Sequence, residues 1–146
     1  MQLIRIERAQ PSDVPAVLGL LAAAGLPLDG AAQALQTGVV AREGETVVGA
    51  AGVERYGSAG LLRSVAVAPE RQGEGLGRQL VAAAERVARE EGVTELFLLT
   101  ETATGWFPRL GYVVVPREDA AAVVGASVEF RTACPDTAIA MHRVLS

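Results

Sequence analysis

VAVAPERQGEGLGRQL, residues 65–80, carries the reading of this chain. A run of β-branched and small apolar residues stops at Pro69, glycines follow at 73, 75 and 77, and from Leu76 the apolar residues recur at helical spacing. A strand that turns through glycine into a helix leaves the first N–H groups of that helix unpaired, at the positive end of its dipole. Glycine permits positive φ and removes side chains that would hold a ligand off the backbone. With Arg71 and Arg78 alongside to add charge-assisted bonds, the stretch reads as a cradle for phosphate or pyrophosphate. A tight turn that uses glycine for geometry alone is the other reading, and the pattern by itself leaves both open.

Upstream, MQLIRIERA alternates apolar and charged residues and predicts a first strand, not the uninterrupted apolar core of a signal peptide. SDVPAVLGLLAAAGL predicts a helix with Ser12 or Asp13 as N-cap and Val14, Val17, Leu18 and Leu21 on one face, ended by Gly25 and Pro27. A short helix over about 29–36 leads into a hairpin turning at Glu43, Gly44 and Glu45, and the YGSAG turn delivers the strand LLRSVAVAP. Downstream of the glycines, Leu76, Leu80, Ala83, Ala84 and Val87 form a buried stripe with Arg78, Glu85, Arg86 and Arg89 outside, up to Gly92. TELFLLT is a buried strand, TATGWFPRL a short helix ending at Gly111, YVVV a strand, EDAAAVVGAS a weak helix or an irregular link, and DTAIAMHRVL a closing strand. The predicted order is β, α, α, β, β, β, α, β, α, β, β. The absence of repeats and linker-like composition predicts one domain over residues 1–146.

Composition narrows the function. Half of the 146 residues are apolar and the net charge is −4, with no block of basic residues, so a nucleic-acid partner is not expected. All thirteen basic residues are Arg. Without Lys there is no Schiff-base chemistry and no P-loop lysine. One cysteine, Cys134, and one histidine, His142, supply neither an internal disulfide nor a zinc cluster; a site made of carboxylates alone stays open, and no metal is expected. The longest apolar run, LGLLAAAGLPL, is broken by Gly and Pro and falls short of the ~20 residues that span a bilayer, which leads to the expectation of a soluble cytoplasmic protein with no membrane partner.

Two familiar phosphate loops do not fit. The Walker loop needs Lys, and the dinucleotide fingerprint needs G-x-G-x-x-G early in a βαβ unit, whereas this spacing is G-x-G-x-G after a long β-rich region. Gln72-Gly73-Glu74-Gly75-Leu76-Gly77 instead resembles Q/R-x-x-G-x-G/A, the acetyl-coenzyme A loop of the GCN5-related N-acetyltransferases, and the resemblance runs from the first strand to F-x-x-L-G-Y. It implies an α/β fold with a central mixed, mostly antiparallel sheet flanked by about four helices. Acetyl-coenzyme A is the implied cosubstrate: the backbone of Gly73, Glu74, Gly75, Leu76, Gly77 and Arg78 would take its pyrophosphate, with Arg71 and Gln72 at the turn, and Val65, Ala66 and Val67 would hydrogen-bond its pantetheine arm like an added strand. The C-terminal third, through Arg117, Glu129-Phe130 and Cys134-Pro135, resembles the small acetyltransferases encoded with arsenic-resistance genes. That implies a small-molecule amine acceptor, glutamate-like or bearing arsenic or phosphorus, and the family analogy allows a homodimer.

Direct transfer needs a neutral amine, a proton acceptor and a donor for the oxyanion. N–H groups near Val65 or Ala66 are the expected oxyanion donors. The family's Tyr, which protonates the leaving thiolate, falls at Phe107 in WFPRLGY, so the usual general acid is missing. Tyr112 reads as a strand-core residue. Glu101 and Glu129 are the candidate bases or amine ligands, with a solvated carboxylate as the alternative for each, and Glu54 is weaker. Arg63 and Arg117 are candidate clamps for an acidic acceptor or else surface charges. Trp106 and Phe107 are candidate pocket walls, with plain packing as the alternative for Trp106. Cys134 reads as a buried structural thiol and His142 as a surface or edge residue. A non-catalytic acyl-coenzyme A sensor is the competing function, favoured by the missing Tyr.

Overall fold

A computed structural model of the chain describes residues 3–101, 103–128, 130–131 and 137–145. The elements follow the expected order through β5 and depart from it afterwards, with no α-helix among the described residues between β5 and β6 and one between β6 and β7: β1 (Ile4–Arg8), α1 (Val14–Ala23), α2 (Ala31–Ala34), β2 (Gly38–Glu43), β3 (Thr46–Tyr56), β4 (Ala59–Val67), α3 (Leu76–Glu90), β5 (Glu95–Thr100), β6 (Val113–Val114), α4 (Arg117–Val124) and β7 (Ile139–Val144). The predicted helix around WFPRL is a single 3-10 turn, Phe107–Leu110, because Pro108 removes a donor and Gly111, at φ +98°, ends it. β6 is shorter than YVVV predicted, since Tyr112 leaves the strand to point inward.

The strands form one seven-stranded sheet in the order β1-β2-β3-β4-β5-β7-β6, antiparallel throughout except where β4 lies parallel to β5. α3 covers one face, burying Leu76, Leu80, Ala84 and Val87 against Val39, Val48, Leu62 and Leu96. On the other face α1 and α2 cover Val40, Ala50 and Ala66, and α4 covers Leu61, Phe97 and Ala140. Two separate apolar clusters on that second face leave a seam between them, over β3 and β4. Leu80 is fully buried, so truncation to Ala would cost about 2–5 kcal/mol.

Two polar placements differ from the sequence reading. Asp13 sits at the N-cap of α1 but makes no cap bond there; its carboxylate takes two bonds from Arg42, each 2.7 Å, and the Gln10 N–H at 2.8 Å. Those bonds hold its carboxyl below the usual 3.8. Glu85, predicted to face outward, is buried. It accepts from the Tyr112 hydroxyl at 2.8 Å and from Arg143 Nη1 at 2.9 Å to both oxygens, so a charge on the helix flank is covered by partners from two distant segments. Tyr112 is a core residue as expected, 1% exposed, but lies just before β6 and not in it, and burial followed by the Glu85 charge raises its hydroxyl far above the ordinary value.

Candidate active site

β4 and β5 pair at Ala59–Glu95, Gly60–Leu96 and Leu61–Phe97 and then separate. Beyond Leu61, β4 keeps its β3 partner only, so its other edge faces a gap. A one-residue shift in the β3–β4 register falls between Ala50 and Gly52, where Ala51 opposes both Ser64 and Val65. Ser64 adopts φ +60°, the only positive φ outside glycine among the described residues. This bulge reverses the alternation of side chains, which sends Val65 and Val67 toward the α3 face and Ala66 toward α1 and α2. A non-glycine residue held left-handed costs of order 1–3 kcal/mol, a strain that clusters at functional sites.

The ladder also decides which backbone groups are available. Ala68 N–H bonds the Val48 carbonyl at 2.8 Å, and since paired residues alternate in an antiparallel ladder, Ala66 is likewise turned to β3 while the N–H groups of Val65 and Val67 face the gap. Of the three strand residues expected to meet the pantetheine arm, Ala66 therefore has its backbone spent on Ala50. The Val67 carbonyl accepts the Gln72 side-chain amide at 3.0 Å, which ties the end of β4 to the glycine turn.

That turn carries Gly73 at φ +83° and Gly75 at φ +82°, and a Cβ built on either meets nothing within 4 Å. Both glycines are there for backbone shape and open approach, not for packing. Gly75 is the N-cap of α3 and no side chain caps the helix, so its first N–H groups stand open beside the gap. Gly77 is different: its Cβ position lies 3.3 Å from Trp106 Cζ2 and 3.8 Å from Val67 Cγ2. Of the two arginines read into the cradle, Arg71 is ion-paired with Glu43, so it braces the turn against β2. Arg78 is exposed and makes no ion pair among the described residues.

The other site residues read from sequence are not brought together. Trp106 lies beside Gly77 on the glycine-turn side, 4.9 Å edge-on to Phe107. Phe107 is buried in the α3-face core, 5.7 Å from the Tyr112 ring. Arg63 is a buried cation: its side chain is 0% exposed, and it donates to Glu54 at 2.8 Å, the Pro27 carbonyl at 3.2 Å and Ser64 Oγ at 3.2 Å. It anchors the α1–α2 connection onto the bulge. Arg117 donates to the Ala138 carbonyl at 2.9 Å and lies over the Phe130 ring at 5.0 Å, joining α4 to β7. Glu101 is exposed just past β5 and accepts from Thr137 Oγ1 at 3.1 Å. Glu129 and Cys134 lie outside the described residues. His142 is half-buried and bonds Glu95 at 2.7 Å.

Sequence reasoning named Glu54 and Arg63 separately but not the polar cluster they form with Tyr56 in the seam. Glu54, 9% exposed at its side chain, accepts from both Arg63 and the Tyr56 hydroxyl, whose ionisation burial and that bond push up to about 12. A pocket of about 330 Å³ opens beside them between α2 and the end of β3, lined by Gln33, Gln36 and Thr37 among others. The signal was the odd spacing of Glu54 and Tyr56 on one face of β3, legible only once the cover of that face is known. Nothing in the letters marks Ser64 as left-handed. Among the described residues no group of three His, Cys, Asp or Glu could hold a metal, and no helix is long and apolar enough to cross a membrane.

Residues 35–114 match the acetyltransferase (GNAT) domain family, more than half of the 146 residues. An uncharacterized N-acetyltransferase of Chlorobaculum tepidum is 47% identical over 57 residues, 39% of this chain and 36% of that protein. N-acetylglutamate synthase of Neisseria gonorrhoeae, solved with coenzyme A and N-acetyl-glutamate, matches 100% of this chain at TM-score 0.83 and 20% identity, over 36% of its own length. A Mycobacterium tuberculosis protein solved in complex with coenzyme A matches 97% of this chain and 99% of its own at TM-score 0.76 and 24% identity. At these identities the structural likeness is one of fold. The match thus spans little more than a third of the curated relative and of the gonococcal synthase.

Proposed function

Because this chain belongs to the acetyltransferase (GNAT) domain family, we propose that it moves the acetyl group of acetyl-coenzyme A directly to the amine of a small molecule. The observation that carries this reading is the parting of β4 from β5 next to an uncapped helix start bare of side chains. Those two features suit the two ends of one ligand. The gap offers strand-edge N–H groups at Val65 and Val67 to an extended amide-bearing arm, and the turn from Gly73 to Arg78 offers backbone N–H groups to a pyrophosphate. The acetyl thioester brings the activated acyl group.

The chain's own residues supply position and proton handling. The bulge at Ser64 aims the Val65 N–H into the gap, where it serves as a donor to developing negative charge. Glu101, just past the end of β5, takes the proton of the attacking amine. Glu129 is the second carboxylate of the proposal. Among the described residues no free aromatic hydroxyl stands in for the missing acid, since Phe107 has none, the Tyr112 hydroxyl is committed to Glu85 and the Tyr56 hydroxyl to Glu54. A thiol pKa of ~8.5 lets the thiolate depart without full protonation, so this loss slows the step without abolishing it.

The proposed acceptor is a glutamate-like amino acid or its phosphinic or arsinic analogue. The resemblance of the C-terminal third to arsenic-resistance acetyltransferases supports it, as does the fold shared with a synthase solved with N-acetyl-glutamate. The reading entails a single domain acting in the cytoplasm. A homodimer through the β6 edge is consistent with Val113 and Val114, 59% and 65% exposed. The test is thiol release from acetyl-coenzyme A across amines, glutamate, phosphinothricin and arsenical analogues. Acceptor-dependent release supports the enzyme. Coenzyme A binding with no release for any acceptor would convert the reading to an acyl-coenzyme A sensor, which the missing donor at Phe107 favours.

A further inference from the structure

A second, smaller pocket of about 200 Å³ lies along the flank of α3 and is lined by Arg78, Ala82, Glu85, Arg109 and Arg143, among others. Three guanidiniums reach it from three elements: α3, the 3-10 turn Phe107–Leu110, and β7. One carboxylate faces them, and it is already occupied. Glu85 takes both its oxygens' bonds from Arg143 Nη1 and one from the Tyr112 hydroxyl. Arg78 and Arg109 are exposed and make no ion pair among the described residues. The charged lining is therefore three arginines to one glutamate, a net positive charge.

Arg143 is held in place from two sides. Glu85 grips one nitrogen, and the backbone of Gly111 passes so close that a Cβ there would stand 3.1 Å from Arg143 Nε. Gly111 is left-handed at φ +98° and ends the turn that carries Arg109. A fixed guanidinium costs less to order around an anion than a free one. The Tyr112–Glu85–Arg143 chain thus has a use beyond satisfying its own members.

The pocket's lining begins at Arg78, just past the glycine turn in sequence. Arg78 lies in the first turn of α3, three residues from its N-cap Gly75, and Ala82 lies about 10 Å along the axis from that cap at ~1.5 Å per residue. An anion here is one sugar away from a pyrophosphate at the turn. The volume falls below the roughly 300 Å³ at which pockets enclose drug-sized ligands, so it suits a phosphorylated sugar and not a whole nucleotide. Resting on the coenzyme A reading above, we propose that Arg78, Arg109 and Arg143 form a subsite for the 3′-phosphate of the coenzyme A ribose, and that this chain discriminates coenzyme A from its dephospho form.

Calorimetry of coenzyme A and 3′-dephospho-coenzyme A on the wild-type chain, Arg109→Gln and Arg143→Gln tests this, with melting curves to confirm folding. Charge-assisted bonds to phosphate predict wild-type affinity for coenzyme A at least about tenfold above that for the dephospho form. Arg109→Gln, an exposed position safe for folding, should cut that ratio severalfold and leave dephospho-coenzyme A affinity unchanged. Equal wild-type affinity for the two ligands overturns the subsite while leaving the coenzyme A reading intact. A ratio undiminished in both variants overturns the residue assignment. Binding of neither ligand overturns the coenzyme A reading and the subsite with it. Inorganic phosphate is the control arm: if it raises the wild-type melting temperature but not that of Arg109→Gln, while the two coenzymes bind alike, the pocket serves free phosphate and the proposal falls.

Discussion

Gly75→Glu separates an anion cradle from a turn that needs glycine only for shape. Gly75 sits at φ +82° with nothing within 4 Å of its Cβ position. Any L-residue there meets no clash and bears only the left-handed penalty, about 1–2 kcal/mol. At about 2–4 °C per kcal/mol for a chain near this size, Gly75→Ala and Gly75→Glu should melt lower by similar amounts. The carboxylate adds something Ala lacks. It stands before the uncapped N–H groups of α3, where an anion is worth about 0.3–2 kcal/mol, and any incoming phosphate must displace it and bear its repulsion. Gly75→Glu should therefore weaken coenzyme A at least tenfold, ~1.4 kcal/mol, while Gly75→Ala loses far less. Calorimetry on both variants, each shown folded by its melting curve, reads the difference. Unchanged affinity in folded Gly75→Glu would refute the cradle.

Glu101→Gln should lower kcat by about 10²–10⁴ without changing KM for acetyl-coenzyme A, and full turnover would remove Glu101 from the chemistry. The pH profile of kcat should rise as the base or amine loses its proton and then stay level, because Phe107 has no proton to give and burial keeps that of Tyr112 on Glu85's partner hydroxyl; a descending limb at about pH 8.5–10 with the fold intact would reveal an essential donor elsewhere. Tyr112→Phe leaves buried Glu85 one bond short and should cost about 1–3 kcal/mol in urea unfolding with kcat unchanged; a collapse of kcat at unchanged stability would place Tyr112 at the chemistry. Arg42 depresses the Asp13 carboxyl, so its stabilisation is complete above the usual 3.8 and is lost as pH falls through the lower folded value. Asp13→Asn should be less stable than wild type at neutral pH, with the gap closing below pH 3.8; a gap constant with pH would contradict the pairing.

The elements were legible because α3, β4 and β5 are strongly patterned, and the hairpin turn at Gly44 and the glycine run announce themselves. The glycine turn was legible for the same reason: backbone shape at Gly73 and Gly75 is a local property, written in residue type. What stayed hidden depends on distant partners. Glu85 looks solvent-facing by helical spacing, and its burial is set by Arg143, 58 residues on. Arg63 looks like a strand charge open to a substrate, yet Glu54 and the Pro27 carbonyl enclose it. Ser64 carries the bulge with no left-handed signature, because the register of β3 on both sides imposes it. Ala66 could not be told from its neighbours until the ladder fixed which N–H groups turn away from β3.

The claim that the gap beside β4 receives an extended coenzyme arm is tested most directly by amide hydrogen exchange, read residue by residue by NMR with and without coenzyme A. Val65 and Val67 N–H groups face the gap and Ala66 faces β3. Saturating coenzyme A should slow exchange at Val65, at Val67 and across Gly73–Arg78, while Ala66, already bonded within the sheet, changes little. Protection of Ala66 alone, or no protection along β4 at saturation, would contradict the account.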